Sequence, residues 1–258
     1  MVDKTEKDIL RGLAEKWRET ANLSEMEKKK TGWRAVKDLN PQRPMILVET
    51  RFIKDYVSLS ELECTDPFLR NVEYTMKRYL RHASEVGDDI VIEPFYRLSW
   101  EITHDGYGVE DEQNEMKASP GQYYENYLGT SFAHSIDSPD EVEKLRVRNY
   151  TLRKDGSAYK EKLEDIIGDI LPVYFCGYNP TFNNKEMGYQ PRIGTNLFGL
   201  TMDLFKLIGN ESLLLWVYDF PKTIHRIMSL LLEDRKMLYK WLEKEKILAL
   251  NSDNQFTA

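Results

Sequence analysis

Two short apolar runs in the chain each end in a carboxylate: Arg43-Pro44-Met45-Ile46-Leu47-Val48-Glu49 and Asp88-Asp89-Ile90-Val91-Ile92-Glu93-Pro94. A carboxylate at the mouth of a partly dry pocket can accept N–H groups from a substrate, or move a proton as a general acid or base. Glu93 and Glu49 are therefore the candidate catalytic residues. Tyr96 and Arg97 follow the second run closely enough to line the same mouth. His104 stands beside Asp105 in a glycine-containing segment and has the best claim of the four histidines to a chemical role. Tyr178 and Asn179 come just after a third apolar run, 171–177, and complete the candidate substrate-binding set. Each has a competing structural reading. A glutamate at the end of an apolar run can simply exit into solvent or cap a helix, and tyrosines at this density can be core.

The elements that must hold these residues follow from periodicity. The unbroken apolar runs 45–49 and 89–93 fit strands buried on both faces, as in parallel sheets. Between them, Asp66-Pro67-Phe68-Leu69-Arg70 opens a helical pattern with apolar residues at Phe68, Leu69, Val72, Met76, Tyr79, Leu80 and Ala83. In parallel sheets, side chains just past the C-terminal ends of the strands face the substrate, which is why the two glutamates stand out. Helices are predicted over 3–20, 24–38, 156–168, 193–208 and 211–218, and from Pro221 to about 245. Ser24 and Glu27 have the spacing of a capping box. Asp137-Ser138-Pro139-Asp140-Glu141 marks a further helix start. A fourth apolar run covers 247–251, so four strands separated by helices predict an α/β fold with right-handed crossovers.

Composition narrows the function classes. Hydrophobic residues make up 41% of the 258, which is enough for a core and excludes wholesale disorder. The formal net charge of −7 argues against a general binder of nucleic acid or anionic membrane, and Lys28-Lys29-Lys30 reads as a solvated helix face. No apolar run approaches the roughly 20 residues that a membrane-spanning helix needs. The first residues lack the apolar core of a signal peptide, so the expected location is the cytoplasm. Cys64 and Cys176 are the only cysteines, which excludes a disulfide framework and a zinc site built of cysteine alone. Between Glu101 and Asn126 the acids Glu101, Asp105, Glu110, Asp111, Glu112, Glu115 and Glu125 face a single base, Lys117. That segment reads as a lid or binding loop, or equally as a solvated insertion.

Taken in order, five stretches resemble the uroporphyrinogen decarboxylase superfamily over 41–258: the first apolar run, the Cys64-Thr65-Asp66-Pro67-Phe68-Leu69-Arg70 helix start, the run into Glu93-Pro94, Leu171-Pro172-Val173, and the later Tyr218-Asp219-Phe220-Pro221. The resemblance implies TIM-barrel-type parallel β/α repeats. This chain would be a half barrel of about four strands, incomplete at its C-terminus, with a helical extension over 1–40. Glu93 falls where the decarboxylases place an aspartate that holds pyrrole N–H groups. The arginine-bearing motif with which those enzymes grip substrate carboxylates is replaced here by Glu49-Thr50-Arg51-Phe52-Ile53-Lys54. Arg51 can stand in for one arginine, but Glu49 would repel a polyacidic porphyrinogen.

The methyltransferase-like branch of the family therefore ranks first. Its members move a methyl group between a corrinoid cobalt and a thiol or ether activated by zinc. The implied cofactors are a corrinoid and zinc, with the zinc ligands outside this chain. The implied partners are a small-molecule substrate, a corrinoid protein and a second copy of the chain, since a half barrel leaves strand edges open. Nucleic acid and membrane are not among them. Two alternatives stay open: a lyase that decarboxylates a tetrapyrrole without a cofactor, and a non-catalytic domain that binds a small molecule or a partner.

Overall fold

Helix α1, Lys4–Ala21, carries Leu10, Ala14, Trp17 and Ala21 at helical spacing, and all four are buried. The computed structural model describes residues 4–48, 56–109, 113–115, 130–132, 134–153, 156–182 and 199–247. The α1 stripe packs with the inner faces of α3 (Pro67–Glu85) and α4 (Gly156–Ile167) around a core that includes Leu69, Val72, Met76, Leu163 and Ile166. Helix α3 starts where the sequence says it should. The Asp66 carboxylate accepts the N–H groups of Phe68 (3.1 Å) and Leu69 (3.0 Å), and Pro67 fills the first turn. Helix α2, Ser24–Lys37, begins at the expected place without the expected capping box; Leu23 is its N-cap and offers no side-chain acceptor.

The sheet is small. Strand β1 (Tyr96–His104) lies in the middle, parallel to β5 (Val173–Phe182) and antiparallel to β4 (Tyr150–Leu152). Strands β2 (Gln113–Glu115) and β3 (Thr130–Phe132) form a separate antiparallel pair. A second core joins α5 (Leu200–Asp219) to α6 (Pro221–Lys244) through Leu204, Leu207, Ile208, Trp216, Ile227 and Leu231. Helix α5 is interrupted at Gly209, whose φ of 76° favours glycine, and the two predicted helices meet there. The predicted helix at 139 is a short 3-10 turn, Pro139–Lys144. A third, smaller cluster of Ile102, Leu238, Leu242 and Ile247 ties α6 to the sheet.

The half barrel of about four parallel strands is overturned. Helices dominate the described residues, and the main sheet has three strands of which one pair is parallel. Neither 45–48 nor 89–93 forms a strand. Two aspartates explain why. The Asp89 carboxylate forms a bidentate pair with Arg43 and accepts the N–H of Ile46 at 2.9 Å, while the Asp89 N–H donates to the Ile46 carbonyl at 2.9 Å. Asp88 accepts the Val48 N–H at 2.7 Å and lies 2.8 Å from His82 Nε2. On the other side, the indoles of Trp33 and Trp17 donate to the carbonyls of Asp89 (2.8 Å) and Glu93 (2.7 Å). Side chains thus take the backbone groups that a ladder would have used. Ile46 is 60% exposed, which also rules out a strand buried on both faces. The run at 171–177 does lead into a strand, β5, whereas 248–251 lies outside the described residues.

Asp89→Ala removes the acceptor on which the 43–48 segment depends. It should lower the unfolding free energy by about 2–3 kcal/mol in urea denaturation. The Arg43 hydrogen bonds hold the Asp89 carboxyl below its usual range despite burial. Its stabilisation is therefore complete above the unfolded value of about 4 and fades as pH falls below it. A variant as stable as the parent at neutral pH would refute this role.

Candidate functional site

The C-terminal ends of the parallel pair β1/β5 fall at His104 and Phe182, which are register partners. On the other side of β1, His104 pairs with Tyr150 of β4. This is the end of a parallel sheet where ligands collect, displaced downstream from the position the apolar runs suggested. Asp234 of α6 reaches it from above the sheet edge. It is fully buried, and its Oδ1 accepts the Arg148 backbone N–H at 2.8 Å. Its Oδ2 accepts Arg148 Nη2 (2.6 Å), Arg148 Nε (3.0 Å) and the Tyr150 hydroxyl (2.8 Å), with the Tyr107 hydroxyl at 3.5 Å. The guanidinium lies over the Tyr107 ring at 4.3 Å and near that of Tyr150 at 5.3 Å.

Electrostatics fix the charge states here. Burial works against the charge on Arg148, but the Asp234 hydrogen bonds outweigh it and hold the guanidinium protonated. Burial pushes both the Tyr107 and Tyr150 phenols up, so they remain hydrogen-bond donors. The His104 imidazole is pushed down to about 4, first by burial and then by the Arg148 charge. Its Nδ1 accepts the Gly106 N–H at 3.2 Å, so the neutral ring carries its proton on Nε2. The turn that returns the Gly106 N–H uses a φ of 73°, open to glycine. Around this centre, Asp105 binds Arg146 (2.8 Å) and Asn149 (2.7 Å), and Arg235 binds Asp203 (3.0 Å). Burial raises the Asp203 carboxyl, while Asn149 and Arg146 overcome burial and hold Asp105 well below the usual range.

Of the residues expected at the site, His104 is at this end. Glu93 is at the other: it precedes β1, and its carboxylate sits 3.4 Å from Arg97 Nη2 and 3.8 Å from Lys30 Nζ. Arg97 also lies 5.1 Å from the Phe95 ring. Glu93 and Arg97 lie together in an ion-pair cluster with Lys30 from α2. Tyr96 turns into the core, fully buried, with its ring 6.0 Å from that of Trp17. Tyr178 and Asn179 pair in β5 with Trp100 and Glu101, and their side chains lie outside the described residues. Glu49 and Arg51 lie outside them as well, as does most of the acidic excursion.

Sequence reasoning missed Arg148 and Asp234. The available signal was the interruption of the α6 stripe, where Asp234 takes an inward position in phase with Ile227, Leu231 and Leu238. For metal chemistry the described residues offer little. Among them no group of three or more His, Cys, Asp or Glu side chains could hold an ion, and burial pushes the Cys64 thiol up to about 12. No helix among the described residues is long and apolar enough to cross a membrane. No protein-family model, curated protein or solved structure matches the chain.

The depressed His104 value has a measurable consequence. Its unfolded value, about 6.5, lies above the folded one, so the neutral ring contributes full stability above pH 6.5 and loses it on acidification toward 4. Unfolding free energy should fall by a few kcal/mol across that window, and His104→Gln should flatten the fall. An unchanged slope in the variant would show that His104 titrates normally.

Proposed function

We propose that the chain takes part in methyl transfer to or from a small neutral or cationic molecule. The reaction class rests on the resemblance of the short motifs between Arg43 and Pro221 alone, since the fold is not the barrel that the resemblance implied. The observation that carries the substrate class is the pairing of arginines around the C-terminal end of β1/β5. Arg146, Arg148 and Arg235 are each engaged by a carboxylate, on Asp105, Asp234 and Asp203. A polyacidic porphyrinogen would have to compete with those pairs; breaking the buried Arg148–Asp234 pair costs about 3–5 kcal/mol, whereas the exposed Arg146–Asp105 pair is worth about 0–1 kcal/mol. A neutral or cationic substrate meets no such cost. His104, kept neutral by burial and by the Arg148 charge, adds no charge of its own at this end of the sheet. A corrinoid and an activating metal would supply the methyl-transfer chemistry. Among the described residues no group of three or more His, Cys, Asp or Glu side chains fits the metal.

Two titrations of the chain, one with methylcobalamin and one with uroporphyrinogen, distinguish the branches through corrinoid absorbance and tryptophan fluorescence. Saturable binding of methylcobalamin without binding of uroporphyrinogen is expected. Binding of uroporphyrinogen alone, or of neither, would overturn the assignment.

A further inference from the structure

The buried and half-buried arginines of this fold have acceptors. Arg11, Arg81, Arg97, Arg148 and Arg235 each bind a carboxylate, and Arg70 binds backbone carbonyls. Arg78 of α3 is the exception among the described residues. It is half-buried, its guanidinium has no carboxylate partner among them, and its buried Nε makes no hydrogen bond. The guanidinium lies over the Tyr79 ring, 5.1 Å from its centre. A second donor beside it is in the same state: the Tyr96 hydroxyl is fully buried and makes no hydrogen bond. Thr75, Arg78 and Tyr79, from one turn of α3, act on that phenol, and the Thr75 hydroxyl faces it without completing a hydrogen bond. Burial pushes the phenol up, so it keeps its proton. The residues one turn either side of Arg78 are Tyr74, Thr75, Arg81 and His82, none of them an acid. Buried donors without acceptors are rare in native proteins, and a cation beside one favours an anionic acceptor.

We propose that Arg78 and Tyr96 form a binding site for a small organic carboxylate, at the opposite end of β1 from His104. The guanidinium carries the planar fork that a carboxylate fills with two parallel hydrogen bonds, and the Tyr96 hydroxyl donates a third. Arg78 is half-buried and tied down by no ion pair among the described residues, so its flexible side chain can swing to admit the ligand. The half-buried Tyr79 ring beside it favours an apolar or aromatic body behind the carboxylate. One guanidinium balances one negative charge, and its neighbour Arg81 is already engaged by Glu61. A monocarboxylate therefore fits better than a phosphate dianion. The site is independent of the methyl-transfer reading, because none of its residues belongs to the cluster around Arg148 and Asp234.

Isothermal titration calorimetry of the full chain with benzoate, benzamide and inorganic phosphate tests the proposal. Benzoate should bind saturably at one site, and uncharged benzamide roughly tenfold more weakly or worse. Arg78→Gln should weaken benzoate binding by about tenfold or more, whereas Arg18→Gln, at an exposed position of α1, should leave it unchanged. Tyr96→Phe should weaken binding by about threefold or more without lowering the denaturation midpoint, since it removes a donor that the free fold leaves unsatisfied. Absence of saturable benzoate binding would overturn the proposal, as would tighter binding of phosphate or an affinity that Arg78→Gln leaves unchanged. If circular dichroism shows Arg78→Gln to be unfolded, Tyr96→Phe decides: weaker binding at an undiminished midpoint supports the site, and unchanged binding refutes it.

Discussion

Asp234 sits on the inner face of α6 with no access to water, and its carboxylate is shared between Arg148, Tyr150 and Tyr107. A charge on that face would be ruinous alone, because burying an unpaired carboxylate costs far more than a domain's whole margin of stability. The network removes the penalty only in one arrangement of α6 against β4 and the loop after β1. Buried ion pairs add little net stability over an apolar substitute, so the pair's contribution is to position. It sets where α6 lies along the sheet, and with it the ring of Tyr150 against His104, 6.2 Å away and edge-on. The neutral state of His104 follows from the same burial and from the Arg148 charge that Asp234 anchors.

A similar principle governs the other end of the sheet. There, the carboxylates of Asp88 and Asp89 take the place of a strand, accepting backbone N–H groups from the 43–48 segment while Trp17 and Trp33 hold the return segment by its carbonyls. Glu93 is neutralised in this region by Arg97 and Lys30. Both ends of the molecule thus use acidic side chains to organise backbone and cations, and the acidic composition reflects structural duties as well as a solvated surface.

The helices were legible in the sequence because each carries a strong stripe or stop signal. Leu10, Ala14 and Trp17 mark α1, Asp66-Pro67 opens α3, and Gly209 divides α5. The strands were misread for a physical reason. Met45–Val48 and Ile90–Ile92 are hydrophobic enough for strands, yet Asp88 and Asp89 capture their backbone groups. The real central strand has the period-two signature in Tyr96-Arg97-Leu98-Ser99-Trp100-Glu101-Ile102-Thr103. Because the strand starts after Glu93, that carboxylate lies at its N-terminal end and His104 at its C-terminal end. The sequence singles out His104 through its neighbours Asp105 and Gly106, and the strand β1 ends on it. Its distant partners Arg148 and Asp234 were not legible, because contacts between remote segments leave no local pattern in a single sequence.

The site, the position of α6 and the neutral histidine all rest on the coupling of Arg148 to Asp234. A double-mutant cycle with Arg148→Met, Asp234→Leu and the combined variant measures it directly by denaturant unfolding. Each single change should be strongly destabilising, by about 3–5 kcal/mol, because it strands a buried charge, whereas the double variant should regain most of that loss. Additive losses in the double variant would contradict the account and show that the two residues act independently.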